Sequence, residues 1–594
     1  LKLGFAPLAM LAIVLLFTRK NRKELRWLFV IFTAFSLFPV FGYIFSGFSN
    51  VNNRWGYIYV VIVSFILAES LDKMRDLSGK ELGIMTAITG LYGLVNAFSD
   101  KLFVPSIYGA FGLLAATLIM LFLLNSDKIT FSKKQFRGIV LGMTALVIFL
   151  NAKWFITSGD DSYTHLDTYV SAGDSKKKIS GTALKHLDEV PGADTDEFYR
   201  STNLVTTGNL RSSSLLYGYN DVSTFSSTLN GGIVNYNNAM GNCRWNIVSI
   251  YDYNFRTYLN TLASVKYMGV AKKNTATIPY GYKKVQETKN KYYSIYENQY
   301  SLPLGYTYDK IVNADRIDQY SAAEKQETTM LAAIVEDKDM DKNSNLTVAT
   351  KLPLTAQKLK IKNIKLNGVS MTKDTIEIEK PGATMKFSFE APANAETYLS
   401  LVGDIYAEKD AKEHFITARI KAPGVKYGHK FRIDAYTTGQ KEYLFNLGYR
   451  EGAVKTCTLK FVGTGTLKYK DLAIYSQTMS NYADRVNALK ENSLKNAKAE
   501  KNTVTGNITV DKDKMLVVTL PYQKGWTAYV DGKKTDIQRV NYQYIGINLK
   551  KGTHDIKLHY QLPGIKLAFM ITGCGIIAFV AIIIFNIVRK RRKN

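Results

Sequence analysis

Apolar residues are distributed along this chain in two different ways. Toward both ends they run nearly unbroken, and between the ends they alternate with polar ones. Stretches long enough to cross a bilayer, about 20 residues of mostly apolar character, are read at 3–17, 27–47, 55–71, 82–98, 107–125, 139–156 and 565–588. From 346 to 476 the period is two: Leu359/Ile361, Met385/Phe387/Phe389 and Cys457/Leu459/Phe461 alternate with polar neighbours, with turns at "LNGVS", "EKPGA" and "GTGT". That pattern predicts a β-sandwich. Residues 185–330 read as mixed α/β, with "FRTYLNTLASVKYMGV" a short helix running into a buried strand at 265–270. Further on, "NYADRVNALKENSLKNAKAE" predicts a helix with Tyr482, Val486, Leu489 and Leu494 on one stripe. A last β unit follows, with a tight turn at Asp531-Gly532. There Ile545, Ile547 and Leu549 are expected to face Ile556, Leu558 and Tyr560 across "KKGTH". The expected fold is a polytopic α-helical membrane region at 1–156, an extracytoplasmic mixed α/β domain at 157–345 and a β-sandwich at 346–478. A helical linker with a membrane-proximal β unit occupies 479–562, and a C-terminal transmembrane helix with a basic tail occupies 563–594.

Charge then orients the spans. The chain carries 77 basic and 50 acidic residues, a formal net charge of +27. The segments "TRKNRKELR", "DKMRDLSGKE", "SDKITFSKKQFRG" and the tail "RKRRKN" hold seventeen Lys and Arg, while the alternate connections 48–54 and 99–106 hold only Arg54 and Lys101. Lys and Arg collect on the cytoplasmic side of membrane proteins. The basic segments are therefore read as cytoplasmic, and the whole 157–562 block as outside. No zinc-type Cys/His spacing or basic-aromatic module points to nucleic acid. The chain begins inside an apolar run, read as the tail of a clipped span and hence as part of something longer. Cys243 and Cys457 leave a disulfide open as one arrangement. "SGDDSYTHLDTYVSAGD" gathers Asp160, Asp161, His165 and Asp167, weak candidates for a divalent metal because their spacing fixes no ligand set. A solvated membrane exit is the plainer reading, and no other cofactor is implied.

The ending "LPYQKGWTAYVDGKK … YIGINLKKGTHDIKLHYQLPGIK" resembles the C-terminal signature of the bacterial YfhO family. "ASVKYMGV", "IPYGYKK" and "SLPLGYTYDK" resemble its middle, and "GFSNVNNRWGY" its membrane part. The resemblance implies a C-type glycosyltransferase architecture. Such a protein transfers a sugar from a polyprenyl-phosphate donor to a cell-surface acceptor, such as lipoteichoic acid, on the outer face of a Gram-positive membrane. The catalytic acidic residue of that architecture belongs to a first outer loop, expected upstream of Leu1, so no residue here inherits that role.

"SNVNNRWGY" acquires meaning in that setting. An outward-facing Arg54 suits a lipid-linked phosphate, because guanidinium stays charged and donates paired hydrogen bonds. A cation already in place also favours a leaving phosphate as it gains charge. Asn50, Asn52 and Asn53 are candidate donors to phosphate or sugar, and Trp55 either anchors the loop or stacks on a ring. Lys153, beside Trp154, is a second candidate cation, with Asn96 and Asn151 ranked behind it. Against this stands interfacial anchoring by Trp and snorkelling by Arg and Lys. Two other functions stay open: a non-catalytic membrane-anchored carbohydrate-binding scaffold, and a lipid-sugar flippase or transporter. The spans lack mid-bilayer ionisable residues, which disfavours the flippase.

Overall fold

The computed structural model describes residues 8–19, 22–46, 51–52, 54–98, 105–126, 129–157, 171–174, 187, 190, 193, 197–204, 212, 214–271, 278–287, 293–403, 415–432 and 439–592. They form two compact units, Leu1–Ser175 and Lys176–Asn594.

The first unit is helical: α1 (Leu8–Thr18), α2 (Lys23–Leu37), α3 (Pro39–Phe45), α4 (Gly56–Ser70), α5 (Gly79–Ala97), α6 (Pro105–Asn125) and α7 (Lys133–Thr157). Helix α1 is apolar all round and buried over most of its length, with Leu8, Leu11, Ala12 and Leu15 at most 2 % exposed and Phe17 exposed near its end. It forms the axis on which α4 and α5 pack. The span read at 27–47 is not one straight helix. Pro39 has no N–H to donate and drives the preceding residue out of the helical region. Phe38 is accordingly extended, and α2 and α3 meet at 97°.

The basic segments come together at one end of this unit. Arg19 pairs with Glu81 at 2.8 Å, Arg22 with Glu69 at 2.8 Å and Arg137 with Asp72 at 2.6 Å. Arg75 donates to the Phe131 carbonyl at 2.7 Å. Glu81 also closes a capping box with Ser78 at the start of α5. Partly exposed pairs of this kind contribute little each, about 0–1 kcal/mol, but together they fix which loops meet.

By length and composition, one helix among the described residues is apolar and long enough to cross a bilayer outright: Ile565–Arg591, 27 residues with an 18-residue stretch of mean hydropathy 2.7. The bent α2–α3 pair qualifies only if counted as one broken span, and α1 and Ala110–Asn125 are shorter apolar helices.

The second unit is β-rich. A four-stranded sheet, ordered Gln357–Leu359, Asp471–Thr478, Ala395–Val402, Glu442–Arg450, packs on a five-stranded sheet. The latter is ordered Asn363–Asn367, Thr384–Ser388, Thr456–Val462, Phe415–Ala422, Val425–Arg432. Leu399, Leu401, Phe445 and Ile474 from one meet Met385, Phe387, Leu459 and Phe461 from the other. Glu396, Tyr398 and Ser400 alternate to the opposite face, where a solvated surface would be the simple expectation, yet all three are fully buried. The helix Ala322–Thr328 covers part of that face, and Gln326 donates to Tyr398 Oη at 2.9 Å while Ser400 donates to Glu442 at 2.7 Å.

Residues far apart in sequence share the remaining sheets. A seven-stranded sheet places Gly305–Tyr308 beside Lys514–Pro521 and Ala333–Val335 beside Gln538–Val540, so the C-terminal β segment is woven into residues 305–348. Tyr544–Leu549 lies in that sheet, whereas Gly552–Tyr560 lies in a separate five-stranded one. The facing expected across "KKGTH" is thus not a hairpin ladder. Ile545 and Ile547 do meet Ile556 and Leu558, but in the apolar layer between two sheets. Cys243 and Cys457 are free buried thiols in one apolar cluster, so the candidate disulfide is absent. Burial pushes the Cys457 thiol up to about 12.

Candidate functional site

The corner made by Pro39 is closed by the turn leading into α4. Trp55 is 6 % exposed, its ring 5.0 Å from Phe45 and 6.2 Å from Phe32. Phe35 and Phe41 extend the cluster, stacked at 4.2 Å. Aromatic pairs of this kind contribute about 0.5–1.5 kcal/mol each beyond their burial. A ring so covered holds the loop and leaves no open face for a sugar. Trp55 Nε1 is buried without a hydrogen-bond partner among the described residues. Asn52 Oδ1 accepts the Arg54 backbone N–H at 3.2 Å, a local turn-forming bond, so that oxygen shapes the loop.

Arg54 itself is exposed, and its guanidinium makes no hydrogen bond or ion pair among the described residues. It lies just before α4, where helix N–H groups leave a partial positive charge. Glu69, which pairs with Arg22, sits at the other end of α4, about 20 Å away at 1.5 Å per residue. Chemically, the corner offers an anion an exposed cation on a held turn, at the end of the helix opposite the basic loops.

The other sequence candidates fall into two groups. Asn50, Asn53, Asp160, Asp161, His165 and Asp167 lie outside the described residues, as do the side chains of Asn151 and Trp154. Lys153 is exposed on α7. Asn96 donates back to the Tyr92 carbonyl of its own helix at 2.7 Å, which turns its amide inward on α5. Among the described residues no group of His, Cys, Asp and Glu is placed to hold a metal ion.

The β-rich unit contains a cleft that no local pattern announced, with a volume of about 670 Å³. Its walls come from Glu197–Tyr199, Lys266, Glu297–Gln299, Ser301–Leu304, Lys490 and Ser493–Ala497. Strand register sets two of them: Lys266 is on Val265–Ala271, and Glu297 lies opposite Tyr267 on the neighbouring strand. Lys266 Nζ hangs over the Tyr199 and Tyr267 rings at 5.5 and 5.2 Å. Asn298 is fully engaged, donating to Thr261 Oγ1 at 2.9 Å and to the Val265 carbonyl at 3.1 Å, which fixes the floor. Lys490 emerges from the last turn of the Tyr482–Glu491 helix, and burial lowers its ammonium pKa. Asn496 also borders a second hollow, of about 860 Å³, faced by Tyr529, Asp555, Lys557 and His559. The signal that could have flagged these residues is weak: their segments are up to 300 positions apart.

A helical unit rich in aromatic and apolar residues, a long exposed apolar helix and a large β-rich block together define a membrane-anchored protein with an extensive folded domain. The family model described as "Bacterial membrane protein YfhO" matches residues 2–572, and the chain belongs to that family. It is 25% identical over 578 residues to the "Uncharacterized protein YfhO" of Bacillus subtilis (strain 168). That match covers 92% of this chain and 61% of the relative, so the chain spans about three-fifths of the relative's length. Among solved structures, a mutant of arabinofuranosyltransferase AftD from Mycobacteria is similar at 9% identity and a TM-score of 0.26, covering 94% of this chain and 58% of that one. A CBM35 from Paenibacillus barcinonensis is similar at 10% identity and a TM-score of 0.15, covering 20% of this chain and 97% of that one. Scores this low leave both outside the functional reading.

Proposed function

We propose that this chain serves as a membrane glycosyltransferase of the YfhO type, moving a sugar from a polyprenyl-phosphate donor to a surface acceptor such as lipoteichoic acid on the outer face. In this reading the helices form several spans and the β-rich unit is extracytoplasmic. The observation that carries it is the corner at Trp55. The buried indole fixes the turn, and Arg54 beside it stays exposed at the end of α4 remote from the paired basic loops. A lipid-linked phosphate at headgroup depth would meet that guanidinium, which favours departure of the phosphate as its charge grows. Burial of Trp55 among Phe32 and Phe45 also supports the reading over simple interfacial anchoring, since an anchoring indole would lie at the lipid–water boundary.

The test is glycosylation of surface polymer in cells carrying Arg54→Ala in the full-length protein. A fall of about a hundredfold in transfer, typical for loss of a group that stabilises developing charge, with protein level unchanged is the expected result. Polymer of wild-type composition would overturn the phosphate role. The cleft of the β-rich unit favours a second reading, a non-catalytic carbohydrate-binding scaffold. On that reading Arg54→Ala leaves glycosylation intact while substitutions in the cleft abolish binding.

A further inference from the structure

The cleft is lined by Lys266, Lys490 and Lys495 and by the carboxylates of Glu197 and Glu297. Lys490 and Lys266 are both half-buried, and neither makes a hydrogen bond or ion pair among the described residues. Lys266 is met only by the two tyrosine rings. Partly removing an ammonium from water without an ion-pair partner is costly; the tyrosine rings offset part of that cost for Lys266, and Lys490 has no such contact among the described residues. Glu297, on the facing strand, accepts only the Gln299 amide, at 3.3 Å, and so retains acceptor capacity. The cleft thus presents unpaired cations and an underused carboxylate together, in a volume within the usual range for ligand sites.

We propose that this cleft binds a hydroxyl-rich chain carrying negative charge, an anionic glycan or polyol. Lys490 and Lys266 receive the anionic group, Glu297 accepts from hydroxyls, and the hollow beyond Asn496 takes the next unit of the chain. A free inorganic anion would use the lysines and leave Glu297 repelling it. A neutral sugar would use Glu297 and leave both half-buried ammonium groups without an ion-pair partner. The site stands whether or not the chain catalyses transfer, because it is defined by binding in the β-rich unit and not by the Arg54 corner.

Titration of the purified full chain in detergent tests this, using glycerol 3-phosphate and galacturonate as probes and glycerol and galactose as their neutral counterparts. The two anions separate a phosphate-bearing polyol from a uronate-type glycan. The expected result is saturable, salt-sensitive binding of at least one anion, its neutral counterpart being weaker by about tenfold or more. Lys490→Met should lose that binding while its unfolding temperature rises, because it deletes a half-buried charge that has no ion-pair partner among the described residues. Lys490→Arg should keep it. A neutral probe binding as well as its anionic partner, no saturable anion binding, or unchanged binding by Lys490→Met would overturn the proposal.

Discussion

Glu396 shows how one buried side chain can tie stability to pH. It has no exposed surface, accepts the Thr257 N–H at 3.2 and 3.4 Å, and accepts the Asn446 amide at 2.7 Å. Burial outweighs these bonds and raises its carboxyl from 4.5 to about 7. The folded state therefore holds a proton that the unfolded chain has released. Stability from this group is complete below pH 4.5 and is lost as pH rises through 7, by roughly 3 kcal/mol in all. His429 acts in the opposite sense. Packed against Phe431, Tyr443 and Phe445, its imidazole is lowered by burial from 6.5 to about 4, so its contribution is lost as pH falls from 6.5 toward 4. The two overlap between pH 4.5 and 6.5, so a single stability curve would hide both. Glu396→Gln keeps an acceptor for Thr257 and has no proton to lose. The stability of the wild type relative to this variant should fall by roughly 3 kcal/mol between pH 4.5 and 8, read by denaturant unfolding. A flat difference would show that the carboxyl ionises at its ordinary value.

At the scale of elements, the Tyr482–Glu491 helix is fixed by one buried ion pair. Arg485 meets Glu327 at 2.5 Å, and Glu327 also accepts from the Thr355 N–H at 2.8 Å and the Ala356 N–H at 2.8 Å. Removing one partner strands a charge, so Arg485→Ala should cost about 3–5 kcal/mol, whereas replacing both partners with apolar residues should cost much less. Unfolding measurements on the single and double variants would distinguish these outcomes. Gly525, within the "QKGWTAYVDGKK" signature, has a φ of +111°, and a Cβ there would run into the Gln561 carbonyl. Gly525→Ala should therefore destabilise the sheet that leads to the C-terminal helix, by about 1–3 kcal/mol. Local elements such as these were legible in sequence. The stripe of Tyr482, Val486 and Leu489 is buried on its helix, and Asp531-Gly532 forms the tight turn between Trp526–Val530 and Lys533–Thr535. The second half of that segment is not helical as expected: the helix ends at Glu491, Leu494 is buried beyond it, and Lys495–Glu500 is a strand paired with Thr503–Val510. The bend at Pro39 was visible as a residue and missed as a consequence, because hydropathy sums apolar length without registering chain direction. Pairing of Gly305–Tyr308 with Lys514–Pro521 had no local signal, since sheet partners are chosen by packing across 200 residues. The cleft depends on such pairings, and so it was hidden as well.

For the whole molecule, the organising quantity is the asymmetry of charge. Seventeen basic residues fall in alternate connections and the tail, against two in the remaining connections. Within the helical unit, Arg19, Arg22, Arg75 and Arg137 are tied to acidic or carbonyl partners in one cluster of loops, and Arg54 stands a helix length away. On the proposed multi-span reading, moving the basic cluster across a bilayer would mean desolvating many charges, whereas leaving one arginine outside carries little penalty, so the loops together would set the orientation. Thiol labelling with a membrane-impermeant reagent can read that orientation, because Cys243 and Cys457 are buried and Cys574 can be replaced. Arg54→Cys and Lys386→Cys, both at exposed positions, should label in intact cells, and Lys134→Cys only after permeabilisation. Labelling at Lys134 in intact cells would place the basic loops outside and remove the lipid-linked donor from reach of Arg54. Protection at Lys386 alone would leave the Arg54 corner outward and deny the β-rich unit its extracytoplasmic place. The pattern across three positions thus tests the helical unit and the β-rich unit separately, and the transferase proposal requires both outer positions to react.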